Sequence, residues 1–452
     1  MKKTLVALAA VSAVAAFAQT TDGKPGVQIQ GNFNGGYQAN SWKGVRVSGI
    51  DQNGAGTSQI NIRALEDLGG GMSAYLRMEN DLSLMNNATN QGVLPSYATN
   101  TAATSTAANT NQGYRVTTGA ASTWGNGELA VGIRSNMGDL AFGALNNAGL
   151  NYIQLTAAAL QGTSVGGGYG MVLGADPTLS SVRWANSFRY ITPTVSGFTG
   201  SFIYAAKQNS ATGLSSANGV AATTTSLGVG LNNQVGAREL GLKYANGPLT
   251  TAAVFSQTSL SSFCASPSQT AAANLTAAQS PCTASSFTAG SGLATNTQGT
   301  PDASQDNKQS SFAIGYDLPS GLRLSGAYQK TTLGQLGSAT GVGNQSDRVA
   351  TYYQLTYTTG AHTAFGSVGT VKENASASAK NTYNSKFVGM GYNYALSKNT
   401  SLVGRWESFT DDANVLGLVL TTGPNAYSMM SPYTTSGNTT RTRTMVGLNV
   451  NF

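Results

Sequence analysis

The connections along this 452-residue chain come in two lengths that alternate. Short turns rich in Gly, Pro, Asn and Asp fall at Glu66 to Gly71, Asn136 to Asp139, Pro193 to Gly197, Asn246 to Pro248, Leu318 to Gly321, Thr359 to Ala361 and Leu396 to Asn399. Between them lie long stretches near 39–56, 83–126, 146–181, 208–235, 259–308, 332–346, 373–384 and 411–440. The segments joining turn to stretch alternate apolar and polar residues, the period-two pattern of a strand with unlike faces. Seven hairpins plus a first and a last strand give about sixteen strands, an even number that returns both ends to one side. Short turns on one side and long loops on the other is the asymmetry of a transmembrane barrel, whereas a soluble sandwich has no reason to sort its connections by length.

The two end strands carry the same pattern. Near 26–38, Val27, Ile29, Phe33 and Tyr37 share one parity, and Gln28, Gln30, Asn32 and Asn34 the other. At the far end Val446, Leu448, Val450 and Phe452 interleave with Met445, Gly447, Asn449 and Asn451. A final strand of this kind needs a partner for its edge, and the simplest is the first strand of a closed barrel.

Met1, Lys2 and Lys3 form a basic start, Leu5 to Ala15 an apolar run too short to span a bilayer, and Ala16-Phe17-Ala18 a small-x-small site. Residues 1–18 are therefore expected to be a secretory signal, with 19–452 a single barrel domain. Losing Lys2 and Lys3 takes the basic count from 25 to 23 against 18 acids, so the formal charge falls from +7 to +5. That mild, unclustered excess carries no nucleic-acid footprint. No other apolar run approaches the roughly 18 residues of a spanning helix. Charged residues are only 10% and mean hydropathy is −0.12, as expected of strands with water on one face and lipid on the other. A secreted soluble all-β or adhesin-like protein would share the Gly, Ser, Thr and Asn bias, but not the sorted connections.

From Arg63-Ala64-Leu65-Glu66-Asp67-Leu68-Gly69 to Tyr75-Leu76-Arg77-Met78-Glu79, the chain resembles the second hairpin of the general porins of Gram-negative β-proteobacteria. Similar matches are Ala130-Val131-Gly132-Ile133 with Met137-Gly138-Asp139-Leu140, Asn186-Ser187-Phe188-Arg189-Tyr190 with Ser196-Gly197-Phe198, Tyr394-Ala395-Leu396-Ser397-Lys398-Asn399-Thr400, and the ending Val446 to Phe452. The resemblance runs through the strands of the whole chain after residue 18, while the loops are individual. It implies a sixteen-stranded homotrimeric pore in the outer membrane of a Gram-negative bacterium, among lipid and lipopolysaccharide, passing small hydrophilic solutes. It also implies a third external loop, near 146–181, folded into the lumen. Gln59 stands where the family usually has an arginine, Asn34 where an aspartate is common, and Gly127 and Ala144 where further bases are expected, so ions should be discriminated less sharply.

Charge on the lipid face of a barrel costs about 2–4 kcal/mol for Arg or Lys near the midplane, so arginines within strands should point into the lumen. Parity then turns Gln59, Asn61 and Arg63 inward opposite Ile60 and Ile62, and Arg77 and Glu79 inward opposite Leu76 and Met78. Arg183, Ser187 and Arg189 lie opposite Phe188 and Tyr190, and Arg134 follows Ile133. Each of these arginines could equally be a solvated rim residue. Asp176 is the sole acid of the third loop, which also holds Tyr152, Gln154 and the run Gly166 to Gly170. A weakly anion-preferring or nearly unselective channel follows, because selectivity comes from one sign of charge at the constriction. Cys264 and Cys282, with 17 residues between them in the longest loop, are expected to form a disulfide in an exported chain, two free thiols being the alternative.

Catalysis has little to stand on. Gly162-Thr163-Ser164-Val165-Gly166 has the spacing of a nucleophile elbow, which has meaning only on a strand-turn-helix of an α/β sheet. The single histidine, His362, lies beside a tight turn on the other side of the membrane from the external loops. No His, Cys and carboxylate cluster has metal spacing, and no cofactor is implied. A substrate-specific channel and a barrel-based surface adhesin remain as rival readings.

Overall fold

In the computed structural model, residues 25–42, 45–52, 58–82, 127–157, 183–206, 232–263, 306–333, 346–374, 383–411 and 439–452 are described. They contain β1 Gly26–Trp42, β2 Val45–Gln52, β3 Gln59–Gly69, β4 Met72–Asp81, β5 Leu129–Ser135, β6 Gly138–Asn146, β7 Arg183–Ile191, β8 Phe198–Ala205 and β9 Asn232–Asn246. After these come β10 Leu249–Phe263, β11 Asp306–Asp317, β12 Leu322–Leu333, β13 Ser346–Thr359, β14 His362–Asn374, β15 Tyr383–Ala395, β16 Thr400–Asp411 and β17 Thr439–Asn451.

Every strand pairs antiparallel with its neighbours, and β1 meets β17 along Asn32 to Trp42, so the sheet closes. Seventeen segments make sixteen staves because β2 and β3 share one position. β1 pairs with β3 from Gly26 to Asn32 and with β2 from Gly35 to Trp42. The seven tight turns fall where the sequence puts them. The region expected to be a loop at 39–56 is instead largely an extended hairpin, in which Tyr37 faces Ile50 and both are exposed. Val45 and Val47 alternate there with Arg46 and Ser48, a short strand pattern set between Gly44 and Gly49 that continues the ladder past the expected boundary.

The two faces are chemically opposite. Outward positions are exposed and apolar, including Ile29, Val131, Phe142, Ile314, Tyr353 and Val446, each more than half exposed. Inward positions are polar or small: Asn34, Gln38, Asn61, Gln309, Gln329, Gln354 and Asn449 are all buried within the barrel. No described helix is long and apolar enough to cross a membrane.

The seam is held at both faces. The Gly31 amide donates to the Phe452 carbonyl at 3.0 Å, and the Phe452 amide donates back to Gly31 at 3.1 Å. The Phe33 and Phe452 rings lie 5.4 Å apart on the outer face, while inside Asn32 donates to Asn449 at 3.0 Å.

Candidate functional site

The first eleven residues after β6 turn into the barrel. Gly149–Gln154 form a π-helical turn whose Asn151, Tyr152, Ile153 and Gln154 are buried. Tyr152, Ile153 and Ala157 pack on an unusually plain stretch of inner wall made by Ala252, Val254, Ala313, Ala327, Ala350, Tyr352 and Phe387. Three polar tethers fix this root. The buried Glu239 carboxylate accepts the Ala148 amide and, at 2.7 Å, the Ser256 hydroxyl. At the other end Arg323 donates to the Thr156 carbonyl at 3.1 Å and Ser325 to the Ala157 carbonyl at 2.8 Å. A cation there also suits the negative end of the helical turn. Gly241 makes room for the seat: a Cβ there would stand 2.8 Å from Ala148 Cβ and 3.0 Å from Tyr152 Cδ2.

The opposite wall, from β3 to β7, holds the sequence-predicted arginines. Arg77 pairs with Glu79 and, at 2.7 Å, with Glu128. Arg189 meets the other Glu128 oxygen at 2.7 Å and donates to the Asn146 carbonyl at 3.0 Å, while the Asn146 amide donates to Glu128 at 3.0 Å. A register shift between Gly143 and Leu145 produces this arrangement, because it leaves both Leu145 and Asn146 buried. Arg183 reaches Glu79 at 3.9 Å. Thus Arg77, Glu79, Arg183 and Arg189 form one network, and Arg63 faces Arg77 across the β3–β4 ladder.

Two predicted residues stand apart from that network. Arg134 sits near a tight turn, paired with Asp139 at 3.0 Å, 5.5 Å from the Tyr75 ring centre and with 43% of its side chain exposed. Gln59 accepts from Asn61 at 3.4 Å near the outer end of β3. Asp176, Cys264 and Cys282 lie outside the described residues, as do residues 1–18. Among the described residues, the acids paired with these arginines, Glu79, Glu128 and Asp139, come from the arginines' own wall. Glu128 and Glu239 escaped the sequence reading. Glu128 precedes β5, where no parity guides the eye, and Glu239 alternates with Leu240 and Leu242 and was available to the same rule that found Arg63.

Between root and wall lies a cavity of about 440 Å³ lined by Arg63, Arg77, Arg134, Arg189, Lys243, Tyr75, Asp139, Asn151 and Tyr152. Five bases and one acid border this space, while Glu79 and Glu128 stand behind the bases. A second charged group, Arg405, Glu407 and Arg443, occupies β16 and β17: Arg443 pairs with Glu407 at 2.6 Å, and Arg405 lies 4.8 Å from the Phe365 ring centre and donates to the Gly404 carbonyl at 2.8 Å. Among the described residues, no group of three His, Cys, Asp or Glu could hold a metal. His362 contacts the Tyr392 hydroxyl at 2.6 Å at the exposed turn end.

A closed barrel with an apolar skin, a polar lumen and a loop root narrowing its passage defines a channel for passive diffusion across an outer membrane. The chain belongs to the Gram-negative porin family, whose model matches residues 4–414. Among solved structures, the anion-selective porin of Comamonas acidovorans is similar over 95% of this chain and 100% of its own, with a TM-score of 0.58 and 18% identity. The trimer form of OmpT from Vibrio cholerae is similar over 94% of this chain and 99% of its own, with a TM-score of 0.54 and 12% identity. These likenesses concern the fold. Comparison with curated protein sequences finds no match.

Proposed function

We propose that the channel prefers small anions weakly, and that Arg63, Arg77, Arg134, Arg189 and Lys243 are the groups a passing solute meets. The observation that carries this reading is the one-sided lining of the cavity, with Asp139 its lone acid. Glu79 and Glu128 cancel part of the positive field from behind, which makes the preference modest. The whole segment 146–181 serves as the constriction loop, with Gln59, Arg183 and Asp176 bordering the same passage, and Cys264 and Cys282 bridge the longest loop. The barrel assembles as a homotrimer among outer-membrane lipid and lipopolysaccharide after removal of residues 1–18, and it performs no catalysis. Support for the trimer is the structure of Vibrio OmpT described as a trimer form. Reversal potentials across a KCl gradient test the central reading: a small shift toward the chloride potential is expected, and a clear cation preference overturns it.

A further inference from the structure

The inner face at the barrel seam is made of amides. On β1 every inward side chain from Gln28 to Asn34 is Asn or Gln. The neighbouring strands continue the pattern: Gln30 and Asn32 face Asn61 and Gln59 on β3, and Asn32 and Asn34 face Asn451 and Asn449 on β17. On β11 to β13 the glutamines Gln309, Gln329 and Gln354 each share the inner face with a hydroxyl two residues on, Ser311, Thr331 and Thr356. At the seam no hydroxyl interrupts the amides. Asn is unfavourable in strands, and Ser or Thr would face water as well at less cost, so hydration alone does not account for the patch.

Some of these side chains hold one another, and others keep hydrogen-bonding capacity to spare. Asn32 donates to Asn449 at 3.0 Å and also to Asn451, and Asn61 donates to Gln59 at 3.4 Å. The amide oxygens of Gln28, Gln30, Asn32 and Asn61 have no hydrogen-bond partner among the described residues, although Asn61 is only 2% exposed. A buried acceptor without a donor is unfavourable, so these oxygens are poised for a donor brought through the lumen. Gln28, Gln30, Gln59 and Asn451 are half-buried and within reach of it. Arg63, which faces Gln28, and Glu79, which faces Asn61, mark the border with the charged wall. From Gln28 to Asn34 the patch is about 20 Å long at about 3.3 Å per residue, and three strands span about 10 Å across it.

We propose that this amide face is a binding track for neutral saccharides. Neighbouring hydroxyls on a sugar ring donate and accept together, and each amide answers with its own donors and acceptor, whereas an uncharged face offers an anion no Coulombic gain over water. Its length accommodates a short linear chain of rings. The track rests only on the lumen being open to solute and is independent of the anion preference.

The test uses the purified full chain in planar bilayers, with raffinose or a polyethylene glycol of equal hydrodynamic size added to the bath. Raffinose should lower the KCl conductance saturably and add current noise. The glycol, whose chain ethers only accept hydrogen bonds, should lower it in proportion to concentration. Half-saturation by raffinose should change less than about twofold between 0.1 and 1 M KCl, because contacts between neutral groups are not screened. In Q28T/Q30T it should need about tenfold more sugar, the loss of two hydrogen bonds. Like behaviour of raffinose and the glycol on the unaltered chain overturns the proposal even if the variant fails to fold. Half-saturation unchanged in the folded variant also overturns it, as does one that climbs steeply with salt, which would assign the sugar to the charged wall. A cation-preferring channel that still binds raffinose saturably would end the anion reading alone and leave the track standing.

Discussion

The two inner walls of the barrel are built to opposite specifications. From β3 to β7 the wall carries Arg63, Arg77, Glu79, Arg183 and Arg189, braced by Glu128. From β10 to β15 it offers Ala252, Val254, Ala313, Ala327, Ala350, Tyr352 and Phe387. One wall keeps charge at the passage; the other sets an apolar patch among its glutamines, serines and threonines to seat a loop. A barrel lumen is not uniform: where side chains must meet solute they are charged and ion-paired, and where they must meet protein they are apolar, alanines and a valine set beside the Tyr352 and Phe387 rings.

Removing Glu128 should have the largest effect on this contrast. Glu128→Ala leaves Arg77 and Arg189 without their shared partner and should cost about 3 kcal/mol, the lower end for a broken buried pair because lumen water can reach Arg77. Urea unfolding in detergent, followed by tryptophan fluorescence, measures it, and an unchanged midpoint would show that the charged wall does not rest on this carboxylate. Next comes Gly241→Val, which forces side-chain volume into the loop seat at about 1–3 kcal/mol. Its sharper signature is a raised single-channel conductance with wild-type selectivity, since the root is displaced and the bases are untouched. Lys243→Gln should do the reverse, moving the reversal potential toward the cation side at 0.1 M KCl with little change in stability. That shift should fade at 1 M, where the Debye length shrinks to about 3 Å. Arg134→Gln breaks a pair that is 43% exposed on the arginine side and should change stability by no more than about 1 kcal/mol.

The staves and their facing were legible because a strand's parity is a two-valued signal that lipid enforces on one side. Ile60 and Ile62 placed Arg63; Phe188 and Tyr190 placed Arg189. The same test applied to Leu240 and Leu242 yields Glu239 and Lys243, and applied to Leu402 it yields Arg405 and Glu407. Parity marks β2 only over Val45-Arg46-Val47-Ser48, between two glycines, which is too short a run to separate it from a loop, and it could not give Glu128, whose position depends on a register shift one hairpin away. The network is a property of three strands meeting, and no single strand's pattern contains it.

The backbone latch between Gly31 and Phe452 has a consequence for assembly. Its partners are separated by almost the full length of the polypeptide, so this is the contact whose closure costs most chain entropy and that forms late. Until it forms, a growing sheet has two raw margins that hydrocarbon cannot tolerate. Insertion and closure must therefore proceed together, and a chain stalled before its last stave would be a candidate for aggregation rather than a smaller working pore.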